Sequence, residues 1–454
     1  MGYANICAML LRIIDDISTA RATVLRRRPP EDVSLPASVR ERIRQVFGSD
    51  LDAEGVVRAI IQAVRDDGDQ AVRRFNQAFD RCSVEALEVT PDEIDAAWQS
   101  LPEGTRVAMD LAATRIRRFH ERAMPRNWFD FDGDSAFGQT FRPLARVGVY
   151  APGGRAAYPS TVLMTAIPAR VAGVDSVVLC SPPGPDGLPH QPTLAAARIA
   201  GVDRVFRVGG AQAIAALAHG TASIPAVDKI VGPGNVFVAL AKREVFGRVG
   251  IDQIAGPTET LLVADDSASP VAAAADLLAQ AEHDPLATAL LITTERGLAA
   301  AVAEQVEVQI RSLPRQSIIA ESLRANGGVV VTPNLATAID LANEFAPEHL
   351  CLLVRDAWSW LPRVRNAGGV FIGERSIEAI GDYVAGPSHV MPTGGTARFA
   401  SPLGVLDFLK VSSLFDVSPD LFRAISPAAI ALAEAEGLDG HANAIRVRQG
   451  GDRG

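Results

Sequence analysis

The chain is 454 residues long, with 48% apolar and 21% charged residues, and 44 Lys plus Arg against 53 Asp plus Glu give a formal net charge of −9. That composition excludes a wholly disordered, collagenous or disulfide-framework protein and leaves room for two or three packed domains. The acidic balance offers no broad counter-charge to nucleic acid. Four widely spaced cysteines, Cys7, Cys82, Cys180 and Cys351, signal neither a thiolate zinc site nor a disulfide scaffold, so a reducing, cytoplasmic setting is expected.

At the start, the apolar stretch Ile6 to Ile14 is interrupted by Arg12 and followed by Asp15 and Asp16. It fails as a signal peptide and as a membrane span, and reads as a packed helix. The basic run Arg26, Arg27 and Arg28 stops at Pro29 and Pro30 and reads as a solvated linker, so residues 1–50 are expected to be a helical extension. From Leu51 to about Ala123 the pattern is helical: Val56, Val57, Ile60, Ile61 and Val64 recur at three and four, and Pro125 is a stop. Residues 51–148 are expected to pack with the second of two α/β units.

Then the grammar changes. Short β-branched runs at Val147 to Tyr150, Ser176 to Cys180, Arg204 to Val208 and Asp228 to Val231 alternate with Ala-rich helical stretches, the signature of βαβ units in a parallel sheet. A second set of strands is expected at Thr260 to Ala264, Ala289 to Thr293, Gly328 to Val331, Leu350 to Val354 and Val370 to Ile372. Candidate helices lie between them near 270–282, 296–311, 334–345 and 357–366. The expected architecture is α/β, with two tandem incomplete Rossmann-like parallel-sheet domains over 149–255 and 256–385 and helical appendages at both ends. Beyond Asp382 strands become scarce, and 386–454 reads as a tail with a helix over Pro427 to Glu436.

No Gly-x-Gly-x-x-Gly fingerprint marks a dinucleotide site. In its place, Gly-rich turns close the first set of strands: Tyr150-Ala-Pro-Gly153-Gly154, Val208-Gly209-Gly210-Ala-Gln212 and Gly232-Pro-Gly234-Asn235. Each is either ordinary strand-to-helix punctuation or a place where backbone N–H groups approach a phosphate or carboxylate, and three at corresponding strand ends favour a ligand crevice.

Gln280 and His283 share one face at the end of a helix and can point at one atom, a metal ion or a hydrogen-bond partner. In Phe345-Ala-Pro-Glu348-His349-Leu350 an acid and an imidazole are adjacent, which on a regular strand would send them to opposite sides, so a loop is expected. Two titratable groups of different pKa suit general acid/base chemistry. Asp382, His389 and, after Glu436, His441 add carboxylate and imidazole groups in Gly/Pro-rich or helix-end segments, where they complete a mixed N/O metal site or are simply solvated. His120, His190 and His219 read as surface or helix-end residues. Cys351, two residues past His349, reads as a buried strand residue rather than a nucleophile.

Taken together, Val-Gly-Val-Tyr150-Ala-Pro-Gly-Gly, Val-Gly-Gly-Ala-Gln212, Lys-Ile-Val-Gly-Pro-Gly-Asn235, Ala-Gly-Pro-Thr258-Glu, Gln280-Ala-Glu-His283, Phe-Ala-Pro-Glu348-His349-Leu, Gly-Asp382-Tyr and Ser-His389-Val-Met-Pro-Thr resemble the histidinol dehydrogenase family from about residue 50 to 446. The resemblance implies oxidation of L-histidinol through L-histidinaldehyde to L-histidine with two NAD as hydride acceptors, the last step of histidine synthesis. It implies one zinc ion per subunit on Gln280, His283, Asp382 and His441, with His349 as general base and Glu348 activating water. Substrate contacts fall to Thr258, Gln280, His283, His349, Asp382, His389, Glu436 and His441, and NAD contacts to Tyr150, Gln212 and Asn235. It also implies a homodimer whose tails, with Glu436 and His441, enter the partner's site, and no membrane or nucleic-acid partner. Thr258 stands where Ser is usual, and Pro387-Ser388 precedes His389 where Asn is common, which bears on substrate fit. The same apparatus on another small polar alcohol, or a non-catalytic binding relative, are the rival readings.

Overall fold

The computed structural model describes residues 9–27, 37–153 and 157–449; Cys7, Arg28, Pro29, Pro30 and Gly154 lie outside the described residues. The chain divides into two compact units, one formed by 1–123 with 144–408, the other by 124–143 with 409–454.

The first unit holds two six-stranded sheets. Across the first, the strands run Glu88–Val89, Arg204–Arg207, Ser176–Ser181, Arg146–Tyr150, Lys229–Val231, Gly250–Ile251. All pair in parallel except the Glu88–Val89 edge. Their β-branched runs are buried on both faces, Val147, Val149, Val177, Val178 and Ile230 being fully enclosed, as a sheet covered by helices on both sides requires. The chain steps outward from 146–150 to 204–207 and then returns to the opposite side at 229–231. The strand order therefore reverses beside Tyr150.

One expectation is corrected here. Helix Ala53–Asp67 packs its Val56, Val57, Ile60, Ile61 and Val64 against Ile214, Leu217, Val238 and Ala241 of the first sheet's helices, not against the second α/β unit. His120, expected at the surface or at a helix end, lies in the last turn of helix Glu103–Arg122, buried, with Phe119 edge-on to its ring. Neither ring nitrogen has a hydrogen-bond partner, and burial pushes the ring down to about 4, so it packs as a neutral core group.

The second sheet runs Ile13–Ile14, Gly328–Val331, Thr288–Thr293, Glu259–Ala264, His349–Leu353, Gly369–Ile372, all parallel, with the same reversal between Glu259–Ala264 and His349–Leu353. Its edge corrects the reading of the N-terminal segment as a helical extension. Ile13 and Ile14 pair with Val329 and Val330, Leu10 and Leu11 join the core on one face of the sheet, and Ala20 and Val24 join it on the other. Periodicity missed this because two residues of strand carry no repeat to read. The basic run also splits: Arg26 is exposed, whereas Arg27 is partly buried.

The second unit is a three-stranded antiparallel sheet, Leu409–Asp416 beside Ser135–Pro143 beside Trp128–Asp132, with helices Pro419–Ala435 and Asp439–Gln449. These strands were not expected. Their outward side chains include Phe131 and Phe415, 73% and 75% exposed, so the apolar-in, polar-out alternation that betrays a half-buried strand is blurred. Among the described residues no helix is long and apolar enough to cross a membrane.

Candidate active site

A group of close ionisable side chains, Glu348, His349 and Glu378 among them, lies at the amino edge of the second sheet, beside its strand reversal. Helix Leu335–Phe345 ends at Ala346, whose φ of 51° is left-handed, and Pro347 then directs the chain into the strand. Glu348 closes this turn and His349 opens the strand, so the adjacent pair occupies the loop-to-strand junction and is buried rather than solvated. Glu348 Oε2 accepts from the Thr258 hydroxyl at 2.6 Å and from the Glu259 N–H at 2.9 Å. His349 Nδ1 lies 3.0 Å from the Glu259 carbonyl. A carbonyl only accepts, so the proton sits on Nδ1, and the neutral ring keeps its lone pair on Nε2, which is buried and has no partner among the described residues.

Burial pushes the Glu348 carboxyl up to about 7, against the opposing pull of His349 and its two donors. Burial works against charge on His349 as well, but the carboxylates of Glu378, Glu348 and Asp382 outweigh it and lift the ring to about 9. Glu348 therefore titrates near neutrality, whereas His349 among these carboxylates holds its proton up to about 9.

Next to this pair, ligand atoms of His283, Glu378 and Asp382 lie within 4.8 Å of one another. His283 follows the carboxyl end of helix Pro270–Ala281, while Glu378 and Asp382 sit one turn apart on helix Glu378–Tyr383. Gln280 is fully buried; its Oε1 accepts from the Thr260 hydroxyl at 3.1 Å and its Nε2 has no partner. Thr260 also bonds Glu378. One imidazole with carboxylate oxygens and an amide is a donor set that zinc accepts. His389 joins this edge to the first sheet: its Nδ1 lies 2.9 Å from the Asp382 carbonyl, and its Nε2 lies 3.4 Å from Thr161 Oγ1, on the helix that follows Tyr150. Glu436 and His441 are exposed on the second unit.

At the carboxyl edge of the first sheet the Gly-rich turns close tightly. A Cβ on Gly232 (φ 113°) would stand 2.1 Å from the Tyr150 carbonyl. Tyr150 is buried and its hydroxyl accepts from the Gly210 N–H at 3.1 Å. Gln212 is buried beside Asn76, with its Oε1 unpartnered. Asn235 is exposed and caps helix Val236–Val245 through Phe237 and Val238 N–H.

The family model for histidinol dehydrogenase matches residues 44–449. A histidinol dehydrogenase of Deinococcus radiodurans is 52% identical over 431 residues, covering 94% of this chain and 98% of its own length. One from Synechococcus is 51% identical over 399 residues, covering 87% and 92%. The chain belongs to the histidinol dehydrogenase family. The crystal structure of histidinol dehydrogenase from Elizabethkingia anophelis superposes with a TM-score of 0.90 at 32% identity, covering 97% of this chain and 98% of that one. Histidinol dehydrogenases are oxidoreductases that act on histidinol in the last step of histidine biosynthesis.

Within this histidinol dehydrogenase fold, two residues at the site escaped the sequence reading. Glu378 lies four positions before Asp382, the spacing that stacks two side chains on one helix face, and that spacing was available as a signal. Glu259 had no signal, because its part depends on backbone groups brought together by strand pairing. Cys351, as expected, is a buried strand residue, and burial pushes its thiol well up, which disfavours the thiolate a nucleophile needs.

Proposed function

We propose that this chain oxidises L-histidinol to L-histidine through L-histidinaldehyde, with two NAD molecules accepting one hydride each. The observation that carries the reading is the buried Glu348–His349 pair, in which His349 Nε2 is free among the described residues and His349 Nδ1 lies 3.8 Å from Glu378 of the His283, Glu378 and Asp382 cluster. In the first half-reaction His349 Nε2 takes the hydroxyl proton as hydride leaves the same carbon, giving the aldehyde. In the second, Glu348 takes a proton from water as it adds to the aldehyde while the protonated His349 returns its proton to the carbonyl oxygen, and the resulting gem-diol loses a second hydride and gives a hydroxyl proton to His349, leaving the carboxylic acid. A carboxyl near 7 is ionised enough for that task and still basic enough to perform it.

Gln280, His283 and Asp382, with His441 from the second unit of a partner chain, are the residues that would hold zinc, and Glu378 adds its charge at the same place. Zinc, when bound, supplies a fixed Lewis acid that orients the substrate's imidazole and amino nitrogens. With Asp382 and Glu378 offset by a dication, two of the three carboxylates that raise His349 would no longer do so, and burial would favour the neutral ring that a base requires. Thr258, His389 and Glu436 complete the substrate contacts. Tyr150, Gln212 and Asn235 would hold NAD at the carboxyl edge of the first sheet, where a helix N-terminus faces outward. NAD, when bound, supplies the hydride acceptor. A homodimer with shared sites is supported by the exposed Phe131 and Phe415 of the second unit, and a cytoplasmic location by the three free, buried cysteines among the described residues.

The test is stoichiometry. Zinc-loaded protein given limiting L-histidinol and excess NAD is expected to yield two NADH and one histidine per histidinol. One NADH per histidinol, or greater turnover with another amino alcohol, overturns the reading.

A further inference from the structure

The basic run near the N terminus is not absorbed by the fold or by the reaction, and one member of it reaches the site. Arg27 Nε donates to the Phe345 carbonyl at 3.0 Å and Nη2 to the Ala346 carbonyl at 3.0 Å, while Nη1 pairs with Glu259 Oε1. The guanidinium lies 3.6 Å from the centroid of the Phe345 ring. The side chain of Glu259 is 7% exposed, and among the described residues its carboxylate accepts, apart from Arg27, only from the Gly394 N–H, at 3.0 Å, with Oε2 unpartnered.

These contacts converge on the catalytic pair from two sides. On the strand side, Glu259 presents its N–H to Glu348 and its carbonyl to His349, so whatever fixes Glu259 fixes both partners of the pair. On the loop side, Phe345 and Ala346 are the last residues before Pro347 and Glu348, and Ala346 is held in the left-handed region that a non-glycine residue enters only under constraint. One planar guanidinium bridges the two sides, with its donors in a fixed fork and its face on an aromatic ring.

We infer that Arg27 is a positioning residue that locks the Glu348–His349 junction against the strand bearing Glu259, so that the N-terminal segment sets the geometry of proton transfer. The inference rests on the reaction proposed above. Arg27 touches neither the cation cluster nor the substrate contacts proposed above; it acts through Glu259 and the Phe345–Ala346 carbonyls. A Lys here would offer one ammonium in place of the fork and would reach the carboxylate or the carbonyls, not both.

The experiment uses the full-length, zinc-loaded enzyme with histidinol and NAD. Arg27→Ala is expected to lower kcat by about ten- to a hundredfold, the scale of a small misplacement of reacting groups, with KM for histidinol and bound zinc unchanged. Free guanidinium at millimolar concentration is expected to restore part of that kcat and ammonium none, and Arg27→Lys is expected to stay low. If Arg27→Ala does not fold, the pair Arg27→Met with Glu259→Gln removes the uncompensated carboxylate and is read the same way. An unchanged kcat, a rise in KM alone, loss of zinc, or full activity in Arg27→Lys overturns the inference. Wild-type enzyme run alongside separates the two claims: failure of wild type to oxidise histidinol overturns the proposed reaction, and this inference with it. Normal wild-type turnover with unchanged Arg27→Ala kcat overturns the inference alone.

Discussion

The two sheets of the first unit share a strand order and a reversal point, yet their candidate functional residues gather at opposite edges. In the first sheet these lie at the carboxyl ends, where helices Gly210–His219 and Val236–Val245 begin. In the second they lie at the amino ends, where helix Pro270–Ala281 finishes at Gln280 and His283. Because crossover helices run antiparallel to their strands, the carboxyl edge carries helix N-termini and the amino edge carries C-termini. The first therefore favours anions such as a pyrophosphate and the second favours cations. The chemistry follows that polarity. Glycines and backbone N–H groups dominate one edge, whereas buried carboxylates and imidazoles dominate the other.

If this division holds, damage to the buried acid/base groups of the second sheet should remove chemistry and leave the fold, whereas damage to the ion pair behind the Gly232 turn of the first should cost stability. The largest effect is expected from His349→Asn, which removes the acceptor at Nε2. Turnover should fall by about a thousandfold, within the span usual for a general base, with folding and zinc content retained. Turnover near that of wild type would break the comparison at its functional end.

A structural loss is expected from Lys242→Met at the first sheet. Lys242 and Asp252 form a buried ion pair, with Lys242 Nζ donating to the Gly232 carbonyl at 3.0 Å and Asp252 Oδ2 accepting from the Gly232 N–H at 2.7 Å. Breaking such a pair leaves a buried charge and costs about 3–5 kcal/mol. Denaturant unfolding should register that loss, and adding Asp252→Asn should recover part of it. An unchanged midpoint would show that the Gly232 turn does not depend on the pair.

The smallest effect concerns pH and returns to the second sheet. Burial raises the Glu348 carboxyl from 4.5 to about 7 in the folded protein, so the folded state holds its proton more tightly than the unfolded one. That contribution to stability is complete below pH 4.5 and is lost as pH rises through 7. Glu348→Gln should therefore melt a degree or two above wild type at pH 8, a shift on the order of those seen for about 1 kcal/mol in large domains. The difference should vanish near pH 4.5, as followed by thermal scans across pH. An equal gap at both ends would place the effect elsewhere than in this proton.

Legibility in the sequence tracked how local each feature is. The strands Ser176–Ser181, Thr288–Thr293 and Gly328–Val331 were readable because sheets buried on both faces demand β-branched runs, and the structure moved their ends by a residue at most. The hairpin of 128–143 and strand Leu409–Asp416 were not, since aromatic and charged side chains mix on them without clean alternation. The Glu348–His349 adjacency, Gln280, His283 and Asp382 drew notice through spacing, and Glu378 could have done so. Glu259 and Arg27 act through groups 89 and 318 positions away, a distance no local pattern spans.

The two-residue strand Ile13–Ile14 has a practical consequence. It hydrogen-bonds the flank of Gly328–Val331, with Val329 N–H donating to the Arg12 carbonyl at 2.8 Å. A chain trimmed back to residue 44, where the family match begins, would leave that flank with bare amides and carbonyls, a template on which further chains can stack. Poor solubility of such a truncation would then record an uncapped sheet rather than an unfolded enzyme.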